Sequence, residues 1–138
     1  MDTQNNRPVG QTKDAGWQIG VRRTLPIRHK KAWALITSPE SLKIWLGAGA
    51  DVALSEGGSY ELPDGTHGEV RVWKPNSHLR ITWQPKDWPR PSTIQVRAIP
   101  KDERTVIAFH QEHLPGAEER EARREFFTAV LDQLEKII

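Results

Sequence analysis

The stretch that decides the fold is EEREARREFFTAVLDQLEKII, residues 118–138. Apolar side chains recur along it at the three- and four-residue spacing of one helix face. They are Phe127, Val130, Leu131, Leu134, Ile137 and Ile138. Acidic residues occupy its first turn, where the positive end of the helix dipole stabilises them. The pattern predicts a helix over residues 118–138, about 30 Å long.

The preceding region, residues 51–113, alternates between apolar and polar side chains and is interrupted by turn sequences such as Pro63-Asp64-Gly65. Alternation with period two predicts strands, and short turns between them indicate an antiparallel meander. The predicted strands are residues 51–54, 59–62, 66–74, 78–84, 92–99 and 105–112.

Residues 17–27 also alternate, which predicts a further strand. Arg23 interrupts its apolar row, so that this side chain either snorkels to the solvent or meets a polar cavity. A short helix over residues 28–37 follows. A second helix begins nearby, either with Ser38 as N-cap and Pro39 as first helical residue, or through a capping box at residues 37–40.

The chain has 138 residues, which suits one domain. Residues 1–16 lack apolar periodicity and are predicted to be a disordered tail, and residues 17–138 form the domain. One long helix after one large sheet buries its stripe against a sheet face. We therefore expect an α+β helix-grip fold: a curved antiparallel sheet of about seven strands around the C-terminal helix, with two short helices after the first strand.

Composition excludes several classes of function. The chain has no cysteine, so disulfides, thiol catalysis and thiolate zinc sites are excluded. No apolar run approaches the ~20 residues that span a bilayer, and the N-terminus lacks the apolar stretch of a signal peptide, so we expect a cytoplasmic protein without a membrane partner. The net charge of +2 gives no nucleic-acid footprint. The short basic clusters, residues 22–23, 28–31 and 123–124, are interpreted as solvated faces.

Several strings resemble the START-like (SRPBCC) superfamily, and within it the activator of heat-shock protein 90 ATPase homologue-like family. They include Trp33, residues 37–45, Gly68-Glu69-Val70, Thr82-Trp83, residues 105–115, and Val130-Leu131 with Leu134 in the last helix. The resemblance covers residues 17–138. One departure is that Phe126-Phe127 stand where the family usually has a tryptophan, which puts in doubt any ligand that uses the indole donor.

The sequence offers little catalytic chemistry. His110, Glu112 and His113 form the only local cluster of metal-ligand side chains, but in a strand His113 points away from the other two. Gly-rich phosphate loops and nucleophile elbows are missing, which excludes kinase and hydrolase functions of those types. We predict no metal site, no cofactor and no catalytic residue.

The superfamily resemblance implies a ligand cavity between the sheet and the long helix. The candidate lining residues are Trp33, Trp45, Tyr60, Trp83, Phe109, Gln111, Phe127 and Val130. Core packing is the alternative interpretation for each aromatic residue. In the last strand, either the row through Phe109 and Gln111 or the row through Val106 and Ala108 faces inward.

Three functions follow from the resemblance. The first is a binding module for a small apolar or amphipathic molecule. The second is a cyclase or dehydratase type of enzyme, for which Gln111, Tyr60, His67 and Arg23 are the available polar groups. The third, implied by the family name, is a co-regulator of a chaperone ATPase. We expect a monomer or a weak dimer, and whether the protein is an enzyme stays open.

Overall fold

A computed structural model of the protein describes residues 10–12, 15–47, 50 and 52–138. Most of the predicted N-terminal tail lies outside these residues. The described part of that segment includes a two-residue strand, in which Gln11 pairs with Trp17 and Thr12 with Gly16. None of the helices in the described part of the chain combines the length and the hydropathy that a membrane span requires.

The fold is a seven-stranded antiparallel sheet with a long helix packed on one face. In chain order the elements are β1 (Gln11–Thr12), β2 (Gly16–Leu25), α1 (His29–Ile36), α2 (Pro39–Trp45), β3 (Ser59–Glu61), β4 (His67–Lys74), β5 (His78–Trp83), β6 (Ser92–Lys101), β7 (Arg104–Leu114) and α3 (Ala117–Ile137). The strand order is β1-β2-β7-β6-β5-β4-β3. The predicted helix-grip fold, with two short helices after the first long strand, is confirmed.

One predicted strand is wrong. Residues 52–55 form no strand, and Asp51 lies outside the described residues. Val52 and Leu54 pack against the core, so alternate burial produces the period-two pattern without ladder pairing. The seventh strand is β1 instead.

The two short helices begin and end as local chemistry dictates. Ser38 is the N-cap of α2, its hydroxyl accepts a hydrogen bond from the Ser41 amide at 3.2 Å, and Pro39 is the first helical residue. The indole of Trp45 then donates to the Ile36 carbonyl at 2.7 Å, which fixes α2 against the end of α1.

The long helix buries the stripe that its sequence predicts, up to its last turn. Phe127 stacks on Phe109 of β7 with ring centroids 4.9 Å apart, and Phe109 in turn contacts Trp45 at 6.0 Å. The row through Phe109 and Gln111 therefore faces inward. Ile137 and Ile138, predicted as part of the stripe, are 40 % and 42 % exposed, so the buried stripe ends at Leu134.

Arg23 does not enter a polar cavity. Its guanidinium reaches the surface, where it pairs with Asp132 at 2.5 Å and Glu135 at 2.9 Å. These ion pairs join β2 to the last turns of α3 through partly exposed groups, so they add little to the free energy of unfolding.

Two aliphatic residues of α3 test how the helix is buried. Leu134→Ala should lower the free energy of unfolding by about 2–5 kcal/mol, because it leaves a cavity in the core. Ile137→Ala, a matched truncation three residues later, should cost less than ~1 kcal/mol because its side chain is largely exposed. Urea denaturation measures both values, and equal losses would contradict this placement of the helix.

Candidate functional site

A buried arginine lies on the inner face of α3. Arg123 is 9 % exposed and precedes Phe127 by one helical turn, so it occupies the first position of the buried stripe. The prediction that residues 123–124 form a solvated cluster is wrong for Arg123. Only Arg124 faces the solvent, where it pairs with Glu121.

Three aromatic rings surround the guanidinium group. The central carbon of the Arg123 guanidinium lies 4.1 Å from the ring centroid of Trp83, 4.3 Å from that of Phe126 and 4.8 Å from that of Phe127. Ring faces at these distances attract a cation by about 0.5–2 kcal/mol each. We call these three rings, together with Arg123 and Gln111, the arginine cage.

A chain of buried hydrogen bonds orients the guanidinium. Its Nε donates to the Gln111 side-chain oxygen at 2.8 Å. The Gln111 amide nitrogen donates to the Ser92 hydroxyl at 2.9 Å, and that hydroxyl donates to the Trp83 carbonyl at 2.6 Å. Because arginine only donates, the oxygen of Gln111 must face it, and the chain fixes which way that amide points.

Among the described residues, no acidic side chain forms an ion pair with Arg123. Its Nη2 atom is buried and has no hydrogen-bond acceptor among them. Burial lowers the pKa of the Arg123 guanidinium to about 9, and Tyr60 offsets a part of that change. The group therefore stays protonated at pH 7. The cage combines a fixed positive charge with the unused N–H donors of Nη2 in an otherwise apolar setting.

Tyr60 lies at the side of the cage, and its hydroxyl is hydrogen-bonded to a backbone carbonyl. The phenol donates to the Thr82 carbonyl at 2.6 Å, and burial raises its pKa, so it stays protonated. Gly68 makes this approach possible, because a Cβ there would lie 1.9 Å from the Thr82 carbonyl oxygen. A groove of about 480 Å³ lies outside Tyr60, lined mainly by polar residues of β3, β4 and β5.

The eight predicted lining residues are all buried, and they separate into four groups. Trp83, Gln111 and Phe127 contact Arg123 directly. Trp45 and Phe109 extend the ring stack away from the cage, and Val130 follows one turn along α3. Trp33 packs instead against Trp73 of β4, with ring centroids 5.7 Å apart. Tyr60 completes the set at the side of the cage.

The histidines do not join the cage. On the outer face of the sheet, the Nε2 atom of His110 is hydrogen-bonded to the side-chain oxygen of Gln18 at 2.8 Å. His113 is exposed, and its backbone has a positive φ of 63°. His67 is also exposed, facing the groove outside Tyr60. Within the described residues, no group of three or more acidic or histidine side chains could hold a metal ion.

Sequence reasoning missed Arg123 and Ser92. The buried position of Arg123 could have been predicted from the sequence, because it lies four residues before Phe127 on the same face of the helix. Ser92 begins a strand whose alternate residues are buried, so its inward position was also readable. What the sequence does not show is that Trp83, from a distant strand, joins Phe126 and Phe127 around the charge of their helix neighbour Arg123.

A family model with the description "Activator of Hsp90 ATPase homolog 1-like protein" matches residues 27–138. No protein with a curated description matches the sequence. Solved structures with a similar fold include protein CV1439 from Chromobacterium violaceum, which is 20 % identical; the match covers 88 % of this chain and 96 % of that one with a TM-score of 0.74.

Two further similar structures bear the family's name or role. The HSP90 activator PFC0360w from Plasmodium falciparum is 22 % identical over 87 % of this chain and 94 % of its own, with a TM-score of 0.71. The Aha1 dimer from Colwellia psychrerythraea is 16 % identical over 86 % and 92 %, with a TM-score of 0.67. At such identities the likeness shows the fold alone. Because the family model covers most of the sequence, the chain belongs to the activator of Hsp90 ATPase homolog 1-like family.

Proposed function

We propose that this domain binds a small, largely apolar molecule whose anionic group is held by Arg123. The observation that carries the proposal is the buried guanidinium with an unused Nη2 and no carboxylate partner among the described residues. A carboxylate is the ordinary planar partner of such a group.

The energetics favour a role beyond packing. An uncompensated buried charge costs several kcal/mol, whereas an apolar side chain at the same position would cost nothing of this kind. The three rings and Gln111 recover a part of that cost. A bound anion would recover more, because charge-assisted hydrogen bonds strengthen in an apolar setting.

The aromatic surroundings indicate the rest of the ligand. Phe126 and Trp88 are half-buried, and Trp88 meets Trp83 edge-on with ring centroids 5.4 Å apart. They are the partly exposed rings next to the cage, Phe126 against Arg123 itself and Trp88 against Trp83. A flat aromatic body entering beside them would cover apolar surface while its carboxylate reached Arg123. Phe126 and Phe127 have no polar atoms in their side chains, so Arg123 supplies the polar recognition here.

A cyclase or dehydratase would need a second titratable group in the cage. His67 and Arg23 lie elsewhere, and the Tyr60 hydroxyl donates its hydrogen bond to the Thr82 carbonyl. The chaperone alternative has support only from the family and from relatives that share the fold. We therefore put ligand binding first.

Binding of 2-naphthoate tests the proposal, and Arg123→Met is the informative variant. We expect the wild-type protein to bind this aromatic carboxylate, and R123M to bind it at least roughly tenfold more weakly, because a charge-assisted bidentate contact is lost. Isothermal calorimetry measures the Kd. The naphthoate methyl ester should bind the wild type as weakly as the acid binds R123M.

Arg124→Met is the matched control. Arg124 is the next residue on the helix and is exposed, so removing its charge should leave the Kd unchanged. Naphthoate binding that survives in R123M, or no binding to the wild type, would contradict the proposal. An equal loss in both variants would show a long-range charge effect rather than a site.

A stability experiment separates the ligand role from a structural one. Gln111→Leu should lower the free energy of unfolding by about 1–3 kcal/mol, because it leaves a buried charged donor without an acceptor. The double variant R123M/Q111L replaces both partners by apolar side chains and should be at least as stable as the wild type. Urea denaturation gives the three values. A double variant that is less stable than Q111L would mean that the fold itself requires Arg123.

A further inference from the structure

The outer face of the sheet is rich in cations. Side chains alternate between the two faces of each strand, and the buried row belongs to the core, so the residues between them face away from α3. The outward lysine and arginine residues on the central strands are Arg22, Lys74, Arg80, Arg97, Lys101 and Arg104.

The register places part of this set in one row across the sheet. Arg22 is paired with Ala108, Ala108 with Arg97, Arg97 with His78, and His78 with Lys74. The row crosses five strands and is roughly 20 Å long at the usual strand spacing. We call it the cationic row. The small side chain of Ala108 leaves a trough of about 340 Å³ between Arg22 and Arg97.

The cationic row has little internal compensation. On this face Arg80 approaches Glu112 at 3.6 Å, but among the described residues no ion pair involves Arg22, Arg97 or Lys74. Burial lowers the pKa of His78, and the nearby cations lower it further, as expected in a positive field. His78 is therefore neutral at pH 7.

On the opposite side of the sheet, acidic side chains outnumber the basic residues Arg120, Arg124 and Lys136 on the surface of α3. The exposed surface of α3 contains Glu118, Glu121, Glu125, Asp132 and Glu135. The sequence prediction that residues 22–23 belong to a balanced, solvated face holds for Arg23, which pairs with α3, but Arg22 points to the other side of the sheet.

We propose that the cationic row docks an acidic segment of a partner protein. The row lies on the opposite side of the sheet from the arginine cage, so the inference goes beyond the proposed function and does not depend on it. Charge complementarity selects an acidic occupant. A half-buried apolar strip beside the row, formed by Val106 and Ile99, suits the side chains of a peptide.

A nucleic acid fits this surface less well. Stable phosphate recognition commonly uses 6–10 contacts to the backbone. The row offers only three permanent charges, those of Arg22, Arg97 and Lys74. Protein interfaces combine arginine with apolar contacts in the way that this row and strip do.

Binding of a labelled ten-residue peptide of alternating glutamate and alanine tests the proposal. Fluorescence anisotropy should give saturable binding that weakens as salt rises from 50 to 500 mM, because exposed charges are screened. The variant R22E/R97E should bind the peptide roughly tenfold more weakly or worse. Amide chemical shifts should map the peptide to β2, β6 and β7.

The matched control is K30E/K31E, which makes the same change in net charge on the exposed side of α1. It should retain most of the affinity. If charge reversal unfolds the protein, R22Q/R97Q replaces it, with the same expected direction. An equal loss in the control, or no binding to the wild type, would overturn the proposal.

Two other outcomes would also overturn it. Tighter binding of a twenty-nucleotide oligothymidine through Arg22 and Arg97 would assign the row to nucleic acid. Concentration-dependent self-association that R22E/R97E abolishes would assign it to the acidic helix of a second copy. Analytical ultracentrifugation detects the second outcome directly.

Discussion

The structure depends on the contact between α3 and the inner face of the sheet, and that contact contains one charge. Phe127 stacks on Phe109, which fixes the helix over the central strands. One turn earlier, the same stripe brings Arg123 against Trp83 and Gln111. The helix cannot bury Phe127 in this register without also burying Arg123. Phe126 and Phe127 of the helix surround that guanidinium together with Trp83 of the sheet, and Gln111 supplies the acceptor.

Much of this arrangement was predictable from local patterns. The periods of 3.6 and two residues identified α3 and most strands, and the Ser38-Pro39 sequence located the start of α2. Gln111 was a candidate for the interior because it alternates with Phe109, although the pattern alone left the row through Val106 and Ala108 as the alternative. The strand at residues 51–54 was wrong because alternate burial does not require a pairing partner. Arg123 was missed because its neighbour Arg124 made the pair resemble a solvated cluster.

The part that could not be predicted is tertiary. Six tryptophans could each be core or ligand contacts, and nothing local distinguishes Trp83 in the cage from Trp33 against Trp73. The cationic row likewise arises only when five strands are aligned in register. The two faces of the sheet thus differ in their charges. The face toward α3 covers one buried cation, Arg123, and the opposite face carries the cationic row.

The central claim is that the Arg123 guanidinium is charged and available to an anion. Arginine-selective nitrogen NMR observes this group in the intact protein at pH 7. The account predicts a protonated guanidinium whose Nη signals shift, and whose rotation about the Nε–Cζ bond slows, when 2-naphthoate is added, while those of Arg124 stay unchanged. Signals of Arg123 that do not respond to saturating 2-naphthoate would contradict it.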